Sequence, residues 1–155
     1  MPYRPCLRRL RVAGPCCGYA NSDVWLDRIT AAEVVLIGDA SGTNDPSVAQ
    51  GLSLSLRDVR LVGSALANGI DKSVEGIAAY ADERYRRMSR YRQLGHLVAK
   101  IRFEFTREAH ERRQRLATRM ATGPELAYPQ IATLKGYEAV PDRVFTNEFC
   151  EWVLG

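Results

Sequence analysis

The feature that most constrains this chain is a run of four apolar residues, Val34-Val35-Leu36-Ile37, three of them β-branched, which stops abruptly at Gly38-Asp39. A run without polar alternation has no water-facing side, so it predicts a strand buried on both faces, as in a parallel sheet covered by helices. Such a strand needs parallel neighbours, and the rest of the sequence offers scarcely any. Beyond it the apolar spacing changes to three and four. Leu52, Leu56, Val59, Val62 and Leu66, at those spacings, predict a helix from about Ser47 to Asn68, with Asn68-Gly69 as its C-cap. Lys72 to about Arg92 predicts a second helix and Gln93 to Met120 a third, with Leu94, Val98, Ile101 and Phe105 along its apolar stripe and Gly123-Pro124 closing it. Shorter helices are predicted over 125–134 and 147–153. One central strand followed by helices is the pattern of the end of an α/β domain, predominantly helical in the part present.

Composition sets the outer bounds. At 155 residues and 46% hydrophobic, the chain encloses a single core and is not disordered. No apolar run approaches the ~20 residues of a membrane-spanning helix. The basic start, Met1 to Gly14, has no apolar segment behind it, so it does not read as a secretory signal and the expected location is cytoplasmic. Residues 1–32 read as irregular, with Pro2, Pro5, Pro15 and Gly18, the Asn21-Ser22-Asp23 cluster and a short strand or turn at Val24-Trp25-Leu26. The expected organisation is therefore this irregular segment, a strand–loop–helix unit over 33–70 and a helical region over 71–155. Among four cysteines, Cys16 and Cys17 are adjacent while Cys6 and Cys150 lie near opposite ends, and His96 and His110 have no cysteine near them. That layout lacks the paired spacing of a zinc site and predicts reduced thiols and no metal.

The formal charge of +4 permits an anionic partner without demanding one. The richest basic stretches, Arg84 to Arg92 and Arg112 to Arg115, share their helices with Asp82, Glu83, Glu104, Glu108 and Glu111. Glu108 and Arg112 stand four apart, as do Glu111 and Arg115, the spacing of intrahelical ion pairs, so these stretches read as solvated helix faces with no nucleic-acid role. A hydrolase reading would make Ser41 a nucleophile, which needs a base within reach; both histidines fall on charged helices, where surface positions are usual.

The segment that carries chemistry runs from Val34 to Asp58. A buried strand would deliver Gly38 and Asp39 to the crevice at its carboxyl end, where open α/β sheets bind ligands. Gly38 removes side-chain bulk at that edge, and Asp39 offers two acceptors suited to sugar-alcohol hydroxyls. The loop through Pro46 then feeds a helix whose free first-turn amides suit a phosphate or a partly negative carbonyl oxygen. In mid-helix, Asp58 reads as a structural hydrogen-bonding group.

Gly38-Asp39-Ala40, Pro46, Gln50-Gly51-Leu52 and Leu56-Arg57-Asp58 together resemble the second flavin-binding motif of FAD-dependent monooxygenases of the para-hydroxybenzoate hydroxylase type. Gly14-Pro15-Cys16 and Asn21-Ser22-Asp23-Val24-Trp25 are similar to the segment that precedes this motif in some members. The resemblance implies a partial FAD-binding domain, Rossmann-like and of the glutathione-reductase type. It implies cofactor contacts at Gly38, Asp39, Ala40, Pro46, Ala49, Gln50, Gly51 and Leu52, with Asp39 on the ribityl chain, Pro46 beside the isoalloxazine ring and Gln50 to Leu52 supplying helix-start amides. Three positions depart from the family pattern. Gly42 and its neighbours stand where a histidine is common, Ser53 replaces an asparagine, and Ala49 replaces the first glycine of G-Q-G, adding a methyl where a positive φ or a close flavin approach is needed. The family's G-x-G-x-x-G unit for the ADP half of FAD has no counterpart, since Gly63, Gly69 and Gly76 have neither its spacing nor a preceding strand.

The expectation is thus the FAD-binding C-terminal portion of a flavin-dependent monooxygenase, with NAD(P)H as electron donor only in a complete enzyme. No residue of this chain is assigned to substrate chemistry, and the chain alone is expected to be inactive. The alternative is a non-enzymatic helical module, or a truncated remnant, that docks on a protein supplying the rest of the sheet.

Overall fold

The computed structural model describes residues 11, 13–15, 17–18, 23–31, 33–44, 46–67 and 70–155, with backbone alone for 70–73. The readings placed on Pro2, Pro5, Cys6, Cys16, Asn21, Ser22 and the Asn68-Gly69 cap lie outside the described residues. What is described is a mix of helices and short strands in which helices dominate. Val24–Trp25 (β1) pairs antiparallel with Gly42–Thr43 (β4), and Thr30–Ala31 (β2) pairs antiparallel with Val34–Val35 (β3). The helices are Gly51–Ala67 (α1), Ile70–Arg102 (α2), Arg107–Met120 (α3), Tyr128–Lys135 (α4) and Asn147–Leu154 (α5), with 3-10 turns ahead of α1, between α3 and α4 and between α4 and α5.

The apolar run Val34 to Ile37 does not form a buried parallel strand. Its paired part is β3, two residues in an antiparallel hairpin, and Val34 is 59% exposed. No parallel strand is present among the described residues, so the β2 backbone is the only sheet partner β3 has there. Tyr80 of α2 reaches the end of the run, its hydroxyl donating to Leu36 O at 3.1 Å.

The long helix α2 is the spine of the core. Met88, Tyr91, Leu94, Leu97, Val98 and Ile101 lie buried along it, against Val48 and Leu54 at one end and Leu116, Leu126, Val144 and Phe149 at the other. The predicted boundary near residues 92 and 93 is absent. No proline interrupts there, and the apolar spacing from Met88 to Ile101 continues without a phase shift. The break falls at Phe103 to Thr106 instead, where the Thr106 hydroxyl accepts from Ala109 N at 3.2 Å and caps α3. Phe105, placed on the helix's apolar stripe by its spacing, lies past the end of α2 and is exposed. The ion pairs of α3 also differ from the expected set: Arg107 pairs with Glu111 at 3.0 Å and Arg112 with Glu104 of the preceding loop.

Helix α1 forms where the spacing predicts it, and its 17 residues bury Leu54, Asp58, Val62 and Ala65. Of the five apolar residues whose spacing predicts this helix, Val62 alone is buried. Leu52, Leu56, Val59 and Leu66 face solvent, with exposures from 54% (Val59) to 76% (Leu52). The buried face holds a carboxylate, and the exposed face is the more apolar of the two.

Candidate functional site

The segment between β3 and α1 is built from tight turns. Gly38 has φ +56°, and a Cβ placed on it would stand 2.9 Å from Ser55 Oγ, so both conformation and space call for glycine there. A 3-10 turn over Gly38–Ser41 follows, closed by the Ser41 hydroxyl donating to Gly38 O at 2.7 Å. Gly42 then pairs with Trp25, and a second 3-10 turn, Pro46–Val48, leads to Ala49 and the start of α1.

Ala49 has φ +54°, the one positive value at a non-glycine position among the described residues. Its amide donates to Pro46 O at 2.9 Å, which locks the turn that aims the chain into α1. A left-handed conformation costs an alanine roughly 1–2 kcal/mol. Glycine removes that cost, set against roughly 0.4–1 kcal/mol for its greater freedom when unfolded. Ala49→Gly is therefore expected to stabilise the chain by about 0.5–1 kcal/mol, read as a rise in denaturation midpoint at unchanged slope. An unchanged or lowered midpoint would show that Ala49 carries no strain.

These turns enclose a cavity of about 330 Å³. Its walls include Gly38, Asp39, Asn44, Pro46, Gln50 and Gly51 from the loop side, and Arg84, Met88 and Tyr91 from α2. Five of the eight predicted cofactor contacts thus meet in one space: Gly38, Asp39, Pro46, Gln50 and Gly51. Ala40, Ala49 and Leu52 do not line it, and all three are exposed. Asp39 is exposed, and no hydrogen bond or ion pair holds its carboxylate among the described residues. Asn44 Oδ1 is a buried acceptor without a hydrogen-bond partner among those residues. The first turn of α1 opens at Gly51, where helical amides have no acceptor within the helix. The Gln50 side chain points its amide elsewhere, donating to Thr133 O of α4 at 2.9 Å and tying the helix start to the core.

Behind the cavity lies a buried cluster of charge. Asp58 is 0% exposed, Arg87 1% and Arg84 3%. Asp58 Oδ1 accepts from Arg87 Nη2 at 2.6 Å, and Asp58 Oδ2 lies 3.2 Å from Arg84 Nη1. The same Oδ2 accepts from Gly38 N at 2.9 Å, while Arg84 Nη2 donates to Gly38 O at 3.0 Å. Glu83 joins Arg87 at 3.1 Å and Arg57 at 2.7 Å. Two carboxylates thus balance the two innermost guanidiniums. Burial, and after it the Asp58 charge, pushes the Tyr80 phenol up to about 12, keeping it a neutral donor toward Leu36 O.

Neither Arg84 nor Arg87 belongs to the solvated face that the charge pattern of α2 suggests. Their spacing of three places both on the face toward α1, and a single acid on the inner face of α1 is the signal that could have paired them with Asp58. The Ser41 hydroxyl is engaged with Gly38 O, while His96 and His110 are exposed and His110 bonds to Thr106 O and Arg113. No histidine hydrogen-bonds to Ser41, so it lacks the partner a nucleophile needs. Cys17 and Cys150 are free thiols, and among the described residues no three His, Cys, Asp or Glu side chains gather as a metal site. No helix there is long and apolar enough to cross a membrane. No family model, curated protein or solved structure matches the chain.

Proposed function

We propose that this chain is the flavin-contacting C-terminal portion of an FAD-dependent oxidoreductase of the monooxygenase type, a partial Rossmann-like domain of the glutathione-reductase kind. The reading is carried by one observation: the Gly38-Asp39 turn, the Pro46 loop and the Gln50-Gly51 helix start line the same cavity. The donor set of that cavity suits the middle of a flavin. Asp39 has a free carboxylate for ribityl hydroxyls, Asn44 Oδ1 accepts a further hydroxyl or ring N–H, and the first amides of α1 suit a carbonyl oxygen. A space of about 330 Å³ holds part of such a molecule and not a whole dinucleotide. When bound, the flavin supplies the redox chemistry; the residues of this chain bind and orient it.

The apolar surface favours a companion chain or segment that carries the rest of the sheet and the ADP-binding unit. Val34, Val35, Val62, Leu66, Val74 and Ile77 line an open groove of about 630 Å³ between the β2–β3 hairpin and helices α1 and α2. Through Leu66 the groove adjoins the exposed stripe of Leu52, Leu56 and Val59. Contiguous apolar surface of this kind marks an interaction face.

Titration of the purified chain with FAD, followed by quenching of flavin fluorescence, tests the reading. Saturable binding is expected, and Asp39→Ala is expected to weaken it about ten- to hundredfold, the range for a hydrogen bond to a charged group. No saturable binding, or equal binding by both proteins, removes the cofactor assignment. With FAD and NADPH present, this chain alone is expected to leave the flavin oxidised. Steady loss of the oxidised-flavin absorbance would show a complete catalyst.

A further inference from the structure

We infer that Arg84 and Asp58 are positioning residues that clamp both sides of Gly38 and so hold Asp39 in the cavity, an inference that rests on the flavin reading. The geometry is specific to that one residue of the turn. Asp58 Oδ2 accepts the Gly38 N–H at 2.9 Å, and Arg84 Nη2 donates to the Gly38 carbonyl at 3.0 Å. That carbonyl belongs to the peptide unit that carries Asp39. Arg84 Nη1 closes the triangle on Asp58 Oδ2 at 3.2 Å. One planar guanidinium therefore spans the carboxylate and the backbone together, which a single ammonium does not reproduce.

The clamp also explains why charge is buried here at all. Gly38 is held at a positive φ, and the carboxylate of Asp39 beside it makes no ion pair or hydrogen bond among the described residues, while the Asp39 carbonyl accepts from Gly42 N. An exposed acid after a flexible glycine would sample many directions; fixing the peptide groups on both sides of Gly38 narrows the backbone part of that freedom before a ligand arrives. Arg84 lines the cavity and fixes its floor without supplying the carboxylate that meets the ligand.

Arg87 provides the control, because it is equally buried in the same cluster yet bonds to Asp58 Oδ1, Glu83 and Leu54 O and not to Gly38. Arg84→Lys and Arg87→Lys are compared with the unmodified chain in two measurements, at protein concentrations where circular dichroism shows all three folded. In the first, hydrogen exchange of the Gly38 amide is followed by NMR without ligand. Arg84→Lys is expected to accelerate it at least about tenfold, and Arg87→Lys to leave it within about twofold. In the second, FAD is titrated into each protein; Arg84→Lys is expected to raise the dissociation constant about tenfold and Arg87→Lys about twofold or less. Equal effects of the two lysine variants would make the cluster merely structural and overturn the inference, as would wild-type behaviour of Arg84→Lys. If the unmodified chain binds no FAD, the flavin reading fails, and the exchange measurement still decides the clamp by itself.

Discussion

Replacing Asp58 with alanine is expected to lower the unfolding free energy by about 3–5 kcal/mol, the cost of leaving buried charges without their counter-ion. Asp58 has no solvent exposure and is the shared partner of Arg84 and Arg87, which are themselves almost fully enclosed. Removing it leaves Glu83 alone against two guanidiniums, and Glu83 reaches only Arg87 of that pair. It also frees the Gly38 amide. Set against the roughly 5–15 kcal/mol that holds a typical domain together, such a loss brings the chain close to unfolding. Denaturant titration of the variant measures it. The companion experiment replaces the three most buried members together: Asp58→Leu, Arg84→Met and Arg87→Met in one chain is expected to recover most of the loss, because buried ion pairs and apolar residues of similar volume are close in stability. A small loss in the single variant, or none of it regained in the triple, would mean that the cluster does not hold buried charge in the way its geometry indicates.

The same cluster marks where the fold was legible in the sequence and where it was not. The three-and-four spacing locates α1 and Gly123-Pro124 closes α3, while the break at Thr106 passes unread in the run from Gln93 to Met120. Spacing does not say which side of a helix the fold covers. Helix α1 has two apolar faces, Leu52-Leu56-Val59-Leu66 and Leu54-Val62-Ala65, and a count of hydrophobic residues chooses the first. The fold chooses the second because Asp58 lies on it, and Asp58 must meet the arginines of α2. In the same way the turn residues of the site, from Gly38 to Gly51, form one contiguous segment and could be read together. Arg84, Met88 and Tyr91 complete the cavity from a helix more than 30 positions on, as the numbering shows, and local sequence holds no record of that approach. Val34 to Ile37 misleads for a related reason: its composition describes a strand covered on both faces, while the described residues supply an antiparallel hairpin and leave Val34 in water.

That unmet hydrophobicity gives the second large expectation. Leu52, Leu56, Val59 and Leu66 recur at four, three and seven residues along α1, so they form one continuous stripe, with Gly63 at the vacant position between Val59 and Leu66. A partly polar helix in contact with water does not need such a stripe, and full burial of each Leu or Val side chain contributes about 1.5–3 kcal/mol. With no companion present, the chain is expected to self-associate through this face. Leu56→Lys together with Val59→Glu is expected to weaken the association more than about a hundredfold, since apolar area is lost from every copy. Folding stability is expected to change by no more than about 0.5 kcal/mol, because both side chains are more than half exposed in the single chain. Sedimentation velocity over a range of concentrations reads the first effect and thermal denaturation the second. A stripe that only decorates the surface would leave the association unchanged, and a stripe that belongs to the core would unfold the variant. Loss of association at retained stability is the result that identifies α1 as a helix whose outer face is shaped for contact with another unit.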